Sequence, residues 1–109
     1  MNKDIPEITP TEAYQIWQSG EAHIIDVREP TEYQVFRIPT VRLYPMQSTV
    51  WTAEMMIEFT NKPLIVQCKV GGRSAIVAQA LQQAGYTGQL YNLTGGILAW
   101  QEAGLPIET

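Results

Sequence analysis

The stretch "LIVQC" at 64–68, running into "KVGGRSAIVAQALQQAG" at 69–85, constrains this chain more than any other. A nearly continuous apolar run fits a central parallel strand covered on both faces. Gly71 and Gly72 let the backbone curl without a Cβ penalty. Arg73 to Gly85 then reads as a helix, with Gly85 as the residue just past its end. Other segments agree with this unit. "HIIDV" (23–27) and "QLYNL" (89–93) read as strands, and "VRLYP" (41–45) as an edge strand that Pro45 closes. "TPTE" (9–12) is a helix start: Thr9 caps, Pro10 suits the first helical position and Glu12 completes a capping box. Ala13, Ile16 and Trp17 follow at helical spacing up to Gly20. "REPTEYQVF" (28–36) carries polar and turn residues with one helical turn. Ser48–Phe59 is predicted to be a helix, with Trp51, Met55 and Phe59 on one face, and "ILAWQEAG" (97–104) a short closing helix. Strands alternating with helices predict an α/β domain with a mainly parallel sheet.

The length of 109 residues suits one domain over 1–109. A net charge of -4 argues against sequence-independent nucleic-acid binding, which needs a basic field. Any anionic ligand must therefore be held by local cations or by backbone amides. A single cysteine cannot form an internal disulfide, and no CxxC or His/Cys metal pattern is present, so no metal and no cofactor are expected. A reducing cytoplasm is the expected compartment. The start "MNKDIPEITP" has no signal-peptide apolar core, and no run is long enough to span a membrane.

Cys68 stands where the strand stops and the glycine turn begins. In open α/β sheets, ligands sit beyond the carboxyl ends of the strands. Lys69, Val70, Gly71, Gly72, Arg73 and Ser74 each offer a backbone N–H, since none is proline. Amides converging from such a curl form an anion nest, and the helix start adds its positive end. Lys69 and Arg73 add two cations. All of this favours a thiolate. The competing reading is inert burial, because free cysteine is among the most buried residue types. Two glycines flanked by basic residues, which a bare strand-turn-helix does not need, shift the balance towards a nucleophile. Arg73 in the first helical turn opposes the helix dipole, which points to an anionic partner for it. Ser74 is otherwise read as a helix-starting residue.

Three segments in order, "IIDVREPTEY", "CKVGGRSA" and "LTGGILAWQEAGLP", resemble the signatures of single-domain rhodanese-like sulfurtransferases, along most of the chain from about Ile8 to Pro106. The resemblance implies a sheet of about five strands flanked by helices on both faces. It implies that Cys68 is the catalytic residue and that Lys69 to Ser74 bind the substrate. Cys68 would take a sulfane sulfur from a small anionic donor such as thiosulfate, displacing sulfite. The persulfide would then pass that sulfur to a thiol or cyanide acceptor, a protein acceptor among them. The chain departs from the family after the first signature. Where the family reads Gly-His-Ile-Pro-Gly-Ala, residues Phe36 to Val41 stand here, so Phe36 and Thr40 replace glycines and positive φ is less freely available.

Loop length separates chemistries. Cys68 to Arg73 is a six-residue loop. The related phosphatase-type loops carry one residue more, to embrace a tetrahedral anion, so the tighter ring favours a single sulfur atom. The alternatives are a protein-interaction or sulfur-relay module with little turnover and, less favoured, a phosphatase or arsenate reductase-like enzyme. Asp26 and Arg28 lie at the sheet end that carries Cys68. They either shape the site or, the favoured reading because structural charge networks often mimic sites, form a structural ion pair or turn brace. His23, alone at a strand start, reads as structural. Gly95 and Gly96 read as points of close backbone approach, and the three tryptophans as core or rim residues.

Overall fold

The computed structural model describes residues 4–109. Five strands form one sheet: β1 (Glu7–Ile8), β2 (His23–Asp26), β3 (Arg42–Leu43), β4 (Leu64–Gln67) and β5 (Leu90–Leu93). Their order is β1-β5-β4-β2-β3, and every pairing is parallel. The fully buried β4 is central, as its apolar run requires. Four helices surround the sheet: α1 (Pro10–Gln18), α2 (Pro30–Val35), α3 (Gly72–Gln83) and α4 (Gly96–Glu102).

The sheet buries apolar side chains on both faces. On one, Val66, Leu64 and Val27 pack with Val77, Ala78 and Leu81 of α3 and with Met56 and Phe59. On the other, Ile24, Ile65 and Leu93 pack with Ala13 of α1 and with Ile97 and Trp100 of α4. Trp100 is fully buried, edge-on to Tyr14 and Trp17 at 5.8 and 5.7 Å. Its indole N–H donates to the Pro106 carbonyl at 2.7 Å, so its one polar atom is satisfied. The capping box of α1 is present: Thr9 Oγ1 accepts from Glu12 N, and Glu12 Oε1 accepts from Thr9 N.

Two local expectations are corrected. Residues 48–59 do not form a helix; turns lead to a short 3-10 segment, Ile57–Phe59. Local bonds compete with the helical ladder here. The Thr52 hydroxyl accepts from Met55 N, and the Trp51 indole donates to the Met46 carbonyl. Met56 and Phe59 are buried, whereas Met55, expected to share one face with Phe59, is exposed. The expected single turn after Arg28 is a six-residue helix, α2: Pro30 suits its first position, and the Glu32 carboxylate reaches back to accept from Glu29 N at 2.8 Å.

The segment that departs from the family pattern resolves into two cases. Phe36 is extended, which any residue tolerates, whereas Thr40 takes φ 66, the left-handed region. A β-branched residue there is strained, at a cost of about 1–3 kcal/mol. Thr40 is exposed, so a smaller side chain removes little packing. Thr40→Gly is expected to stabilise the protein by about 1 kcal/mol, after the larger chain entropy of glycine is offset. That corresponds to a melting rise of roughly 4–8 °C. A thermal melt at neutral pH checks it; an unchanged or lower midpoint contradicts the strain.

Candidate active site

Cys68 follows the last residue of β4, and α3 begins four residues later at Gly72. Between them the backbone reverses at Gly71, whose φ of 108 is open only to glycine at low cost. Gly72 differs: its φ is ordinary, and a Cβ there would meet nothing within 4 Å. Of the two glycines, then, only Gly71 is required by the curl.

The Cys68 side chain is buried, at 1% exposure. Its sulfur accepts from Gly71 N at 3.0 Å and lies 3.2 Å from the Ser74 hydroxyl. Burial pushes the thiol up, but the Ser74 hydroxyl and the N–H groups of Ser74, Gly71 and Val70 outweigh it. The net direction is below the ordinary thiol value. Hydrogen-bond donors are thus the main groups that favour the thiolate, with a smaller Coulombic contribution from Arg73. Among the described residues, the N–H groups of Lys69, Gly72 and Arg73 have no protein acceptor. Lys69 and Val70 are exposed at the rim of the loop.

Arg73 has an anionic partner, and that partner is Glu32. The guanidinium donates from Nη1 and Nη2 to the two carboxylate oxygens at 2.7 and 2.9 Å. This fork ties the loop's closing residue to α2. The Arg73 hydrogen bond holds the Glu32 carboxyl down at about 2 against the effect of burial. Because the folded value is depressed, the clamp is fully present above the ordinary carboxylate range and is lost as pH falls through about 2. The misfit of a cation with the helix dipole was the sequence signal for this partner; nothing local identified Glu32 as the residue.

Asp26 and Arg28 do not bond to the loop. They form a fully buried ion pair at 2.8 Å, in which Nε and Nη2 of Arg28 donate to the carboxylate. Nη2 also donates to the Phe36 carbonyl at 2.8 Å, and the guanidinium lies 5.3 Å from the Phe36 ring centroid. The pair thus braces the segment after α2. Arg28 still reaches the neighbourhood of the loop, lining a shallow pocket of about 190 Å³ with Glu32, Val35, Phe36 and Lys69. His23 starts β2 at the opposite sheet end. There its ring meets Asn61 Oδ1 at 3.0 Å and stands edge-on to Phe59.

The far side of the loop is supported by β5 and α4. The N–H groups of Ile97 and Leu98 donate to the Cys68 and Lys69 carbonyls at 2.8 and 3.2 Å. A Cβ on Gly96 would collide with those same two backbone groups, the close approach expected for that glycine. Asn92, which sequence reasoning passed over inside "QLYNL", is buried and touches both Ser74 and Gly71. No described group of His, Cys, Asp and Glu side chains is arranged to hold a metal ion.

Residues 9–103 match the model of the rhodanese-like domain family. The chain belongs to that family. The rhodanese-like chain is 33% identical over 96 residues to the thiosulfate sulfurtransferase GlpE of Vibrio cholerae, covering 88% of each. It is 42% identical over 82 residues to the Rhodanese-like/PpiC domain-containing protein 12, chloroplastic, of Arabidopsis thaliana, covering 73% of this chain and 27% of that one. In another relative the matched stretch is 54% of the length, so the rhodanese-like unit is only a part of some longer relatives. Among solved structures, a thiosulfate sulfurtransferase from Pseudomonas aeruginosa superposes with a TM-score of 0.83 at 28% identity, over 95% of this chain and 20% of that one. A Rhodopseudomonas palustris protein of unknown function, described as a possible tyrosine phosphatase, superposes with a TM-score of 0.80 at 27% identity, over 95% and 85%.

Proposed function

We propose that the protein is a sulfurtransferase that carries a sulfane sulfur as a persulfide on Cys68. The observation that carries this reading is the sulfur environment: a buried Sγ that accepts from Gly71 N at 3.0 Å beside the Ser74 hydroxyl, in a six-residue loop. In the first half-reaction the Cys68 thiolate attacks the outer sulfur of an anionic donor such as thiosulfate. The donor's S–S bond breaks, sulfite leaves with the electron pair, and a new S–S bond forms on Cys68. In the second, an acceptor thiolate or cyanide attacks that outer sulfur, and the Cys68 thiolate is restored. The amides of Lys69, Gly72 and Arg73, which lack protein acceptors among the described residues, are available to the added sulfur and to the donor's oxygens. Lys69 supplies an exposed cation at the rim. Arg73, already bound to Glu32, acts first by closing the loop and only secondarily on the donor.

A phosphatase reading is disfavoured by the same geometry, because the loop is one residue too short to wrap a tetrahedral anion. A relay role, passing sulfur to a protein acceptor with little turnover on small donors, uses the same persulfide. Intact-mass analysis tests the reading directly. Thiosulfate should add the mass of one sulfur, cyanide should then remove it with release of thiocyanate, and Cys68→Ser should take up none. Absence of the adduct in the native protein, or an unchanged adduct in Cys68→Ser, refutes the proposal.

A further inference from the structure

The Ser74 hydroxyl has one proton and two neighbours that can accept it: Cys68 Sγ at 3.2 Å and Asn92 Oδ1 at 2.5 Å. The orientation of the Asn92 amide is fixed by its other end. Its Nδ2 donates to the Gly71 carbonyl at 3.1 Å and to Glu7 Oε2 at 2.9 Å, so Oδ1 must face Ser74. Glu7 is held in turn, because its second oxygen accepts from the Thr94 hydroxyl at 2.9 Å. One buried amide on β5 therefore grips the carbonyl of Gly71 and the hydroxyl of Ser74. These are the two residues whose N–H and O–H groups lie against the sulfur.

We infer that Asn92, oriented by Glu7 from the edge strand β1, is the positioning residue for the sulfur site. It holds the Gly71 N–H and the Ser74 hydroxyl in reach of Cys68. When Cys68 is a thiol, its S–H points to Ser74 Oγ and the Ser74 proton points to Asn92. When Cys68 is a thiolate, the Ser74 proton turns to the sulfur and Asn92 keeps the loop in register through Gly71. The inference rests on Cys68 being the reacting group. Other charged groups near the sulfur come from each surrounding element. Arg73 of α3 is paired with Glu32 of α2, the Asp26–Arg28 pair beyond β2 is closed on itself, and Lys69 stands at the exposed rim. Glu7 therefore adds an anion on the β1 side. If it acted by charge alone, its removal would favour the thiolate; if it orients Asn92, its removal disfavours it. The two roles predict opposite signs.

Titration of the sulfur-free protein, followed by thiolate ultraviolet absorbance and checked by alkylation rate, separates them. The single cysteine makes the alkylation signal unambiguous, and Cys68→Ser supplies the blank that removes the absorbance of the five tyrosines. The native inflection should lie below the free-cysteine value of about 8.5. Asn92→Ala should raise it by about one unit, a tenfold loss of thiolate at pH values below both inflections. Glu7→Ala should raise it in the same direction by a smaller amount. Glu7→Gln keeps an acceptor for Asn92 Nδ2 and should leave the inflection at or below the native one. An unchanged or lowered inflection in Asn92→Ala overturns the inference, since Asn92 would then be withholding the Ser74 proton rather than presenting it. If Asn92→Ala does not fold, the Glu7 pair decides, because Glu7 is exposed on a two-residue edge strand; a fall in Glu7→Ala overturns the inference. These readouts need no sulfur donor, so they remain informative if the mass experiment above shows no sulfur uptake.

Discussion

Inserting one glycine between Cys68 and Arg73 is expected to slow sulfur loading from thiosulfate by roughly a hundredfold. The loop is pinned at both ends and along its back. Cys68 ends β4, Arg73 is forked to Glu32, and the Cys68 and Lys69 carbonyls are held by the first turn of α4. With those points fixed, an extra residue can only bulge outward, carrying Gly71 N away from a sulfur that it now meets at 3.0 Å. A displacement of about 1 Å at a reacting centre costs on the order of 10²-fold. Fold loss is controlled by comparing melting midpoints, since the insertion lies in a partly exposed loop. A time course of the intact mass gives the rate. Undiminished loading in a folded insertion variant would show that ring size does not select for sulfur, and it would reopen phosphatase-type chemistry.

Replacing Asp26 by alanine is expected to cost about 3–5 kcal/mol, because it leaves the Arg28 guanidinium buried without its carboxylate. Total stabilities of about 5–15 kcal/mol make this a large fraction. The melting midpoint should fall by roughly 12–40 °C, at about 4–8 °C per kcal/mol for a domain of this size. Arg28 retains its contacts with the Phe36 carbonyl and ring, but neither neutralises its charge. Removing both partners in Asp26→Ala/Arg28→Met should recover most of the loss, since paired replacement of a buried ion pair by apolar side chains is often neutral. A midpoint within a few degrees of native in the single variant would show that water reaches Arg28, contrary to its burial.

The parts of this protein that were legible in the sequence share a physical origin. The capping box at Thr9, the C′ glycine at 85 and the βα turn after Cys68 are each specified by residues within a few positions of one another. The central strand was legible because burial on both faces leaves no polar alternation. Where local cues competed, the reading failed. The apolar spacing of Trp51, Met55 and Phe59 suits a helix, yet side-chain bonds from Thr52 and Trp51 draw the segment into turns.

Sequence alone therefore determined the α/β architecture, the family resemblance and the position of Cys68 at the carboxyl end of a central strand. The tertiary structure decided what surrounds that sulfur. Glu32 reaches Arg73 across 41 positions, Asn92 reaches Gly71 across 21 and Glu7 reaches Asn92 across 85. Such partners are chosen by strand order and register, which bring β1 beside β5 and α2 beside the loop, and no short-range pattern records those choices. The same applies to Thr40: its replacement of a family glycine was visible, but only the closed backbone forces it to the positive φ that a glycine would have taken without strain.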